Sequence, residues 1–323
     1  MSGPAPARRL LVPLGVLVLL LAAPPFVSSY VLTLLTQSVI YAIVAMSLDL
    51  LLGYLGLASL GHAAYMGVGA YSVGILATRH GAGFGTILAV GVVLALALAA
   101  VFGLLALRAT GVYFLMITLA LGMVGWGLAY RWNSLTGGDN GISGVPRPAL
   151  PLPWSLGEAL PFYYFALAGF LLSLGGLWVI VHSPFGKSLV GIRESETRMR
   201  TLGYHVWLHK YVGFVIAGGV AGAGGVLWAY YNGFVSPADL ELGTSVEVLL
   251  MVALGGRGTL LGPALGAGII VLLKNLVSVY THRWLLILGA AYIGTIVYAP
   301  EGIVGAVRRL AEGPAPAPAR PEA

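Results

Sequence analysis

Five of the nine residues in "IRESETRMR", residues 192–200, are charged, in a chain that is 9% charged overall. Read as one helix over residues 189–202, the stretch sets Glu194 against Arg198 and Glu196 against Arg200. Both pairs have four-residue spacing and the acid-first order that favours ion pairs along a helix. Leu189, Ile192, Met199 and Leu202 would form a narrow apolar strip, and Gly203 would stop the helix. The chemistry such a segment offers is recognition. A rim of mixed charge around a small apolar strip suits either an interfacial loop helix or a docking element for a partner protein.

Other chemistry-bearing residues are sparse. Gly186, Lys187 and Ser188 end like a phosphate-binding loop, but the first glycine of such a loop would fall at Val181, Pro184 interrupts it and no strand precedes it. A nucleotide site is excluded there. His205 and His209 lack the intervening Glu and the further ligands of a zinc site. With no cysteine there is no thiolate nucleophile and no Cys-based metal site. No Ser, His and Asp arrangement can be assembled from spacing, so neither an enzyme nor a cofactor is expected. Asp49, His62 and Glu247 fall within apolar windows, where an ionisable group is costly and marks either a pathway or a structural partner.

The elements that must position these residues are membrane spans. At 59% hydrophobic, with mean hydropathy +0.93, the chain has apolar runs longer than a soluble core helix needs, which excludes a soluble globule. Its net charge of +6 follows from Lys and Arg in cytoplasmic loops and does not call for nucleic acid. Apolar windows lie near residues 10–28, 30–52, 56–78, 86–107, 112–130, 160–181, 211–231, 244–256, 259–280 and 284–300. The expected fold is all-α and polytopic, with about ten spans, some short or interrupted by glycine. Residues 1–9 would be a cytoplasmic N-terminus, residues 10–310 the membrane domain and residues 311–323 a Pro- and Ala-rich disordered tail. Arg8 and Arg9 before an apolar run imitate a signal peptide, but the prolines and spans that follow favour an uncleaved first span.

Starting with Arg8 and Arg9 inside, alternation puts Arg108, residues 183–210, Arg257 and Arg308 on the cytoplasmic side. The loop "TGGDNGISGVP", residues 136–146, then faces outward with Asp239 and Glu241, and could meet an extracellular or periplasmic protein. Gly61, Gly67, Gly69 and Gly74 should interrupt a helix or pack it closely. Gly258, Gly262 and Gly266 at four-residue spacing should let another backbone approach.

Six stretches now carry a resemblance. In order from about residue 59 to residue 305 they are "SLGHAAYMGVGAYSVGIL", "GVYFLMITLALGM", "TGGDNGISGVP", "SPFGKSLVGIRESETRMRTLGY", "FVSPADLELGTSVEVLLMVALGGRGTLLGPALGA" and "YAPEGIVG". Together they resemble the permeases of ATP-binding-cassette importers for branched-chain amino acids, the M-type subunit of the Liv system. The resemblance implies a bacterial or archaeal cytoplasmic membrane. It implies a homologous H-type permease, two cytoplasmic ATPase subunits and an extracytoplasmic binding protein as partners. It also implies that residues 183–210 are a coupling loop, with Arg193, Glu194, Glu196, Arg198, Arg200 and Gly203 at the ATPase. The family signature is loose here, because Glu196 is followed by Thr197 and Arg198 and Gly203 lies seven residues on. Arg257 stands where an uncharged residue is usual. A urea or short-chain amide permease, and a proton-coupled secondary transporter using Asp49, His62 or Glu247, are the alternative readings.

Overall fold

The computed structural model describes residues 19–148 and 155–280, together with residues 286–287, 289–290, 293–294 and 302–305. The expected N-terminus at 1–9, the tail at 311–323, and most of the windows 10–28 and 284–300 lie outside the described residues. The helices are α1 (Ser29–Asp49), α2 (His62–His80), α3 (Phe84–Ala106), α4 (Val112–Arg131), α5 (Ala159–His182), α6 (Pro184–Glu194), α7 (Glu196–Thr201), α8 (Val206–Asn232), α9 (Leu242–Gly255) and α10 (Leu261–Tyr280). Among the described residues, six helices are long and apolar enough to cross a membrane: α1 with its extension, α3, α4, α5, α8 and α10. Two strands, β1 (Ile142–Ser143) and β2 (Phe234–Val235), pair antiparallel with Ile142 opposite Val235.

The central helix is α1, surrounded by α5, α8, α9 and α10, while α2 and α3 pack on the far side of α8. Burial follows this order: 78% of the apolar window of α1 is buried, against 22% for α4, which leaves an apolar flank open. Glycine sets how close the helices come. A Cβ at Gly69 on α2 would fall on the Gly222 carbonyl of α8, and one at Gly225 would fall on the Met66 carbonyl. The helices therefore meet backbone to backbone, as small residues allow where lipid gives no hydrophobic drive. The expected close approach at the later glycines also occurs, since a Cβ at Gly266 of α10 would strike the Met251 carbonyl of α9.

The window 56–78 is not helical from its start. The chain leaves α1 through a π-helical turn, Leu50–Leu55, closed by Gly56 at φ +73. Residues 57–61 then run without regular structure to His62. His62 meets Ser47, eight residues before Leu55, so this stretch climbs about 12 Å back along α1. Non-helical backbone at such depth must find its hydrogen bonds in the protein. It does: the Leu60 amide donates to Thr118 Oγ1 (3.2 Å), Gly61 to Ser59 Oγ (3.3 Å) and Ala63 to Ser245 Oγ (3.0 Å).

The second irregular crossing explains the shortness of α9. Ile142 and Val235 lie beside Gly74 of α2, Leu240 fills the notch at Gly67, and Ser245 reaches Ala63. From Val235 to Ser245 the chain thus descends about 16 Å along α2, so a helix of 14 residues completes the crossing. The turn at residues 256–260 follows, and α10 returns. The expectation that backbone contact rather than side-chain bulk holds α2 to α8 is directly measurable. Gly225→Leu should lower stability by about 1–3 kcal/mol or abolish folding. Gly176→Ala, where a Cβ meets nothing, should melt within a few degrees of wild type. Thermal melting of the purified protein in detergent checks both.

Candidate functional site: the amphipathic segment and the buried acids

The segment between α5 and α8 is two helices. Ser195 is extended (φ −162, ψ 103), ending α6 and capping α7 through its hydroxyl, which accepts from the Arg198 amide. The single helix expected over residues 189–202 is corrected accordingly. Ser195 followed by Glu196 is an N-cap signal with an acid in the first turn, and it competes with helix continuation. The break separates Glu194 from Arg198, and among the described residues no ion pair joins them. Glu196 does meet Arg200, at 3.6 Å. Leu189, Ile192 and Met199 face inward and are buried, whereas Leu202 is 65% exposed and leaves the strip. Gly203, at φ +87, ends α7 as expected, with the Tyr204 amide bonded back to the Met199 carbonyl (3.1 Å).

The charged residues divide by direction. Arg193 reaches inward and donates through Nη1 to the Gly53 carbonyl, an acceptor left free at the end of α1. A cation there also complements the helix dipole. Glu196 accepts from Lys210, a buried lysine near the start of α8. Sequence reasoning missed Lys210, fourteen residues away on another helix. Glu194, Arg198 and Arg200 are exposed, as are Thr197 and Leu202, and Arg193 keeps an exposed flank although its guanidinium turns in to Gly53. The face presented outward is therefore Glu194, Arg198, Arg200 and Leu202, and the inward tethers are Arg193 and Glu196.

The three ionisable groups expected within the bundle do not form one cluster. Asp49, fully buried in α1, accepts from the Gly258 amide (2.7 Å, Oδ1) and the Leu260 amide (3.1 Å, Oδ2). An anion just before the N-terminus of α10 is well placed against its dipole. His62 lies one turn from Tyr65 and contacts Ser47 Oγ at 2.8 Å through Nε2. The Ser47 hydroxyl already donates to the Val44 carbonyl (2.6 Å), so the imidazole is the donor, and Nδ1 has no partner among the described residues. Glu247 on α9 accepts from Lys274 of α10 at 2.8 and 3.0 Å. Sequence reasoning did not pair Lys274 with Glu247, twenty-seven residues away on another helix. The Lys274 charge offsets that of a glutamate whose side chain is 9% exposed.

Basic residues are concentrated at one end of the bundle: Arg108, Lys187, Arg198, Arg200 and Arg257 lie with α6 and α7. The ribbon end carries Asp139, Asp239 and Glu241 beside Arg79, Arg131 and Arg147, fewer cations than at the other end, which is the asymmetry that favours α6 and α7 inside. The acid at Asp239 is structural: it accepts from Trp228 Nε1 (2.8 Å) and the Ser236 amide (3.1 Å), pinning the descent from β2 to α9.

Removing one member of the α9–α10 ion pair should show its weight. Lys274→Met would strand the Glu247 carboxylate and lower stability by roughly 2–4 kcal/mol, below the full buried-pair range because Lys274 keeps some surface contact. Adding Glu247→Gln should recover most of the loss. Paired melting curves of the two variants give the answer.

The family described as "Branched-chain amino acid transport system / permease component" matches residues 30–297. Over 318 residues the chain is 30% identical to "High-affinity branched-chain amino acid transport system permease protein LivM" of Escherichia coli, spanning 91% of this chain and 74% of that protein. It is 25% identical over 140 residues to "Probable branched-chain amino acid transport permease protein LivM" of Methanocaldococcus jannaschii, 39% of this chain and 41% of the relative. It is also 29% identical over 163 residues to "Autoinducer 2 import system permease protein LsrC" of Klebsiella pneumoniae, 47% of this chain and 44% of the relative. No solved structure matches the chain.

Proposed function

Because this chain belongs to the branched-chain amino acid transport permeases of ATP-binding-cassette systems, and is a multi-pass membrane protein without an ATPase domain, we propose that it forms half of an uptake pathway for leucine, isoleucine and valine. The other half is a homologous H-type permease. Two cytoplasmic ATPase subunits supply the energy, and an extracytoplasmic binding protein delivers the amino acid to the ribbon end. The membrane is the cytoplasmic membrane of a bacterium or archaeon.

The observation that carries this reading is the division of charge on α6 and α7. Arg193 and Glu196 are held from inside by Gly53 and Lys210, so the segment is fixed to α1 and α8 at two points. Glu194, Arg198, Arg200 and Leu202 remain outward, a small apolar residue amid mixed charge, which suits a groove on a soluble ATPase. Gly203 lets the chain turn sharply out of α7 into α8. ATP-driven closure of the two ATPases would press on this segment and favour one orientation of the bundle; only such a differential preference can shift the population of states.

Of the three ionisable groups in the bundle, Glu247 with Lys274 is the pair at the margin of the pathway. Lys274 keeps 31% of its side chain exposed while Asp49 and His62 are sealed. A paired carboxylate and ammonium leave no net charge for a zwitterion to overcome. The amino-acid reading is favoured over an autoinducer cargo by the longer match to the LivM protein, which spans 91% of the chain against 47% for LsrC.

The test is uptake in proteoliposomes holding the chain with its partner permease, ATPases and binding protein. Leucine uptake should require ATP. The combined variant Glu194→Ala, Arg198→Ala and Arg200→Ala should cut it by roughly tenfold or more, a loss of at least ~1.4 kcal/mol of coupling, with the ATPases no longer co-purifying. Uptake that ignores ATP and follows a proton gradient would sink the importer reading.

A further inference from the structure

Two side chains tie α6–α7 to the interior, and what one of them, Arg193, touches extends well beyond the segment. Arg193 sits in the last turn of α6, and its guanidinium caps the Gly53 carbonyl. Its aliphatic stem lies against Gly56, where a Cβ would come within 2.8 Å of Arg193 Cγ. Gly53 is one helical turn from Asp49 on the same face of α1. A Cβ at Gly53 would fall on both Asp49 Oδ1 and the Gly258 amide, so only glycine lets the turn at residues 256–260 lie against α1. Asp49 holds that turn by two of its amides.

The turn itself is strained and irregular. Gly256, Gly258 and Leu260 all have positive φ, and Leu260 at +55 is the one non-glycine residue in that region among those described. Such a conformation persists only where its surroundings hold it, and Asp49 Oδ2 accepts the Leu260 amide. The stretch of α1 between Asp49 and Gly56 is π-helical, a wide turn of the kind that recurs at functional sites. Gly302 closes the turn from the other side, its Cβ position lying 2.5 Å from Gly256 Cα.

We propose that Asp49 and Arg193 are positioning residues that carry movement of α6 through the π-helical end of α1 to the α9–α10 turn, and so to the Glu247–Lys274 pair. This rests on the reading of α6 and α7 as the ATPase contact. Arg193 links α6 to α1 and Asp49 links α1 to the turn, with Gly53 in common. A push on α6 therefore does not stop at the surface of the bundle. The turn precedes α10 directly, and α9 and α10 are locked together at Gly255, Gly262 and Gly266, so the two helices move as one body. Both links join a charged side chain to backbone of a neighbouring element, so they hold position whatever side chains surround them.

A purely structural role would lower activity by lowering the amount of folded protein. A positioning role changes the ratio of ATP hydrolysed to amino acid moved. The test uses the assembled transporter with its ATPases and binding protein in proteoliposomes, comparing wild type with Arg193→Gln, Arg193→Lys and Asp49→Asn. Three quantities are read: ATPase retained on the complex, ATP hydrolysis and leucine uptake. In Arg193→Gln the ATPases should remain bound and hydrolysis stay within about twofold of wild type while uptake falls roughly tenfold, inside the usual 5–150-fold span of coupling between sites. Asp49→Asn, which keeps one acceptor oxygen, should shift the ratio in the same direction, and Arg193→Lys should restore most of it. If Asp49→Asn does not assemble, Arg193→Gln decides alone. Uptake and hydrolysis falling together with an unchanged ratio, or loss of the ATPases from Arg193→Gln, would overturn the inference. A wild type that takes up no leucine with ATP would instead strike the transport reading first, and the inference with it.

Discussion

The Asp49 carboxylate, bonded to two backbone amides of the turn before α10, is the contact on which the arrangement of this bundle depends. A charge sealed in the middle of helices is unfavourable unless its lone pairs are filled, and here the N–H groups of a helix start fill them. The consequence is geometric. The turn must lie against α1, Gly53 must lack a side chain, and α9 and α10 must reach the inner end of the bundle. The end of α1 then falls where Arg193 can cap it.

The second constraint comes from the membrane. Because lipid tails are as apolar as leucine, helices gain little by burying apolar side chains against one another, and close backbone contact takes that role. Gly69, Gly225, Gly255 and Gly266 serve this, each at a point where a Cβ would strike a facing carbonyl. The same medium forbids unsatisfied backbone, so the two irregular crossings borrow acceptors: Thr118, Ser59 and Ser245 for the climb to α2, and the Asp239 carboxylate for the descent to α9. Irregular backbone at both places thus keeps its polar groups satisfied within the protein.

The amphipathic segment belongs to the same logic. Its two tethers are charged groups satisfied by the bundle, and its outward charges are left without a partner of their own among the described residues, apart from the Arg200 contact with Glu196. Its inner side is bonded to helices that cross the membrane and its outer side carries exposed charge, the arrangement on which the proposed coupling role rests.

Composition and spacing by themselves determined a good deal. Apolar runs gave an all-α membrane bundle and placed six of its long helices within a few residues, because a span needs a length of apolar chain that nothing else in a small protein requires. The glycine spacing gave the close approaches, and the charged run gave a helical segment stopped at Gly203, because both are local properties of the chain. What local pattern does not hold is the identity of a partner distant in sequence. That Arg193 would cap Gly53, Glu196 meet Lys210, Glu247 meet Lys274, and Asp49 bind amides 209 and 211 residues away was decided by packing. The late start of α2 was decided there too, since the borrowed Ser245 acceptor becomes available only once α9 is in place, whereas the break at Ser195 is a local cap whose signal lies in the sequence.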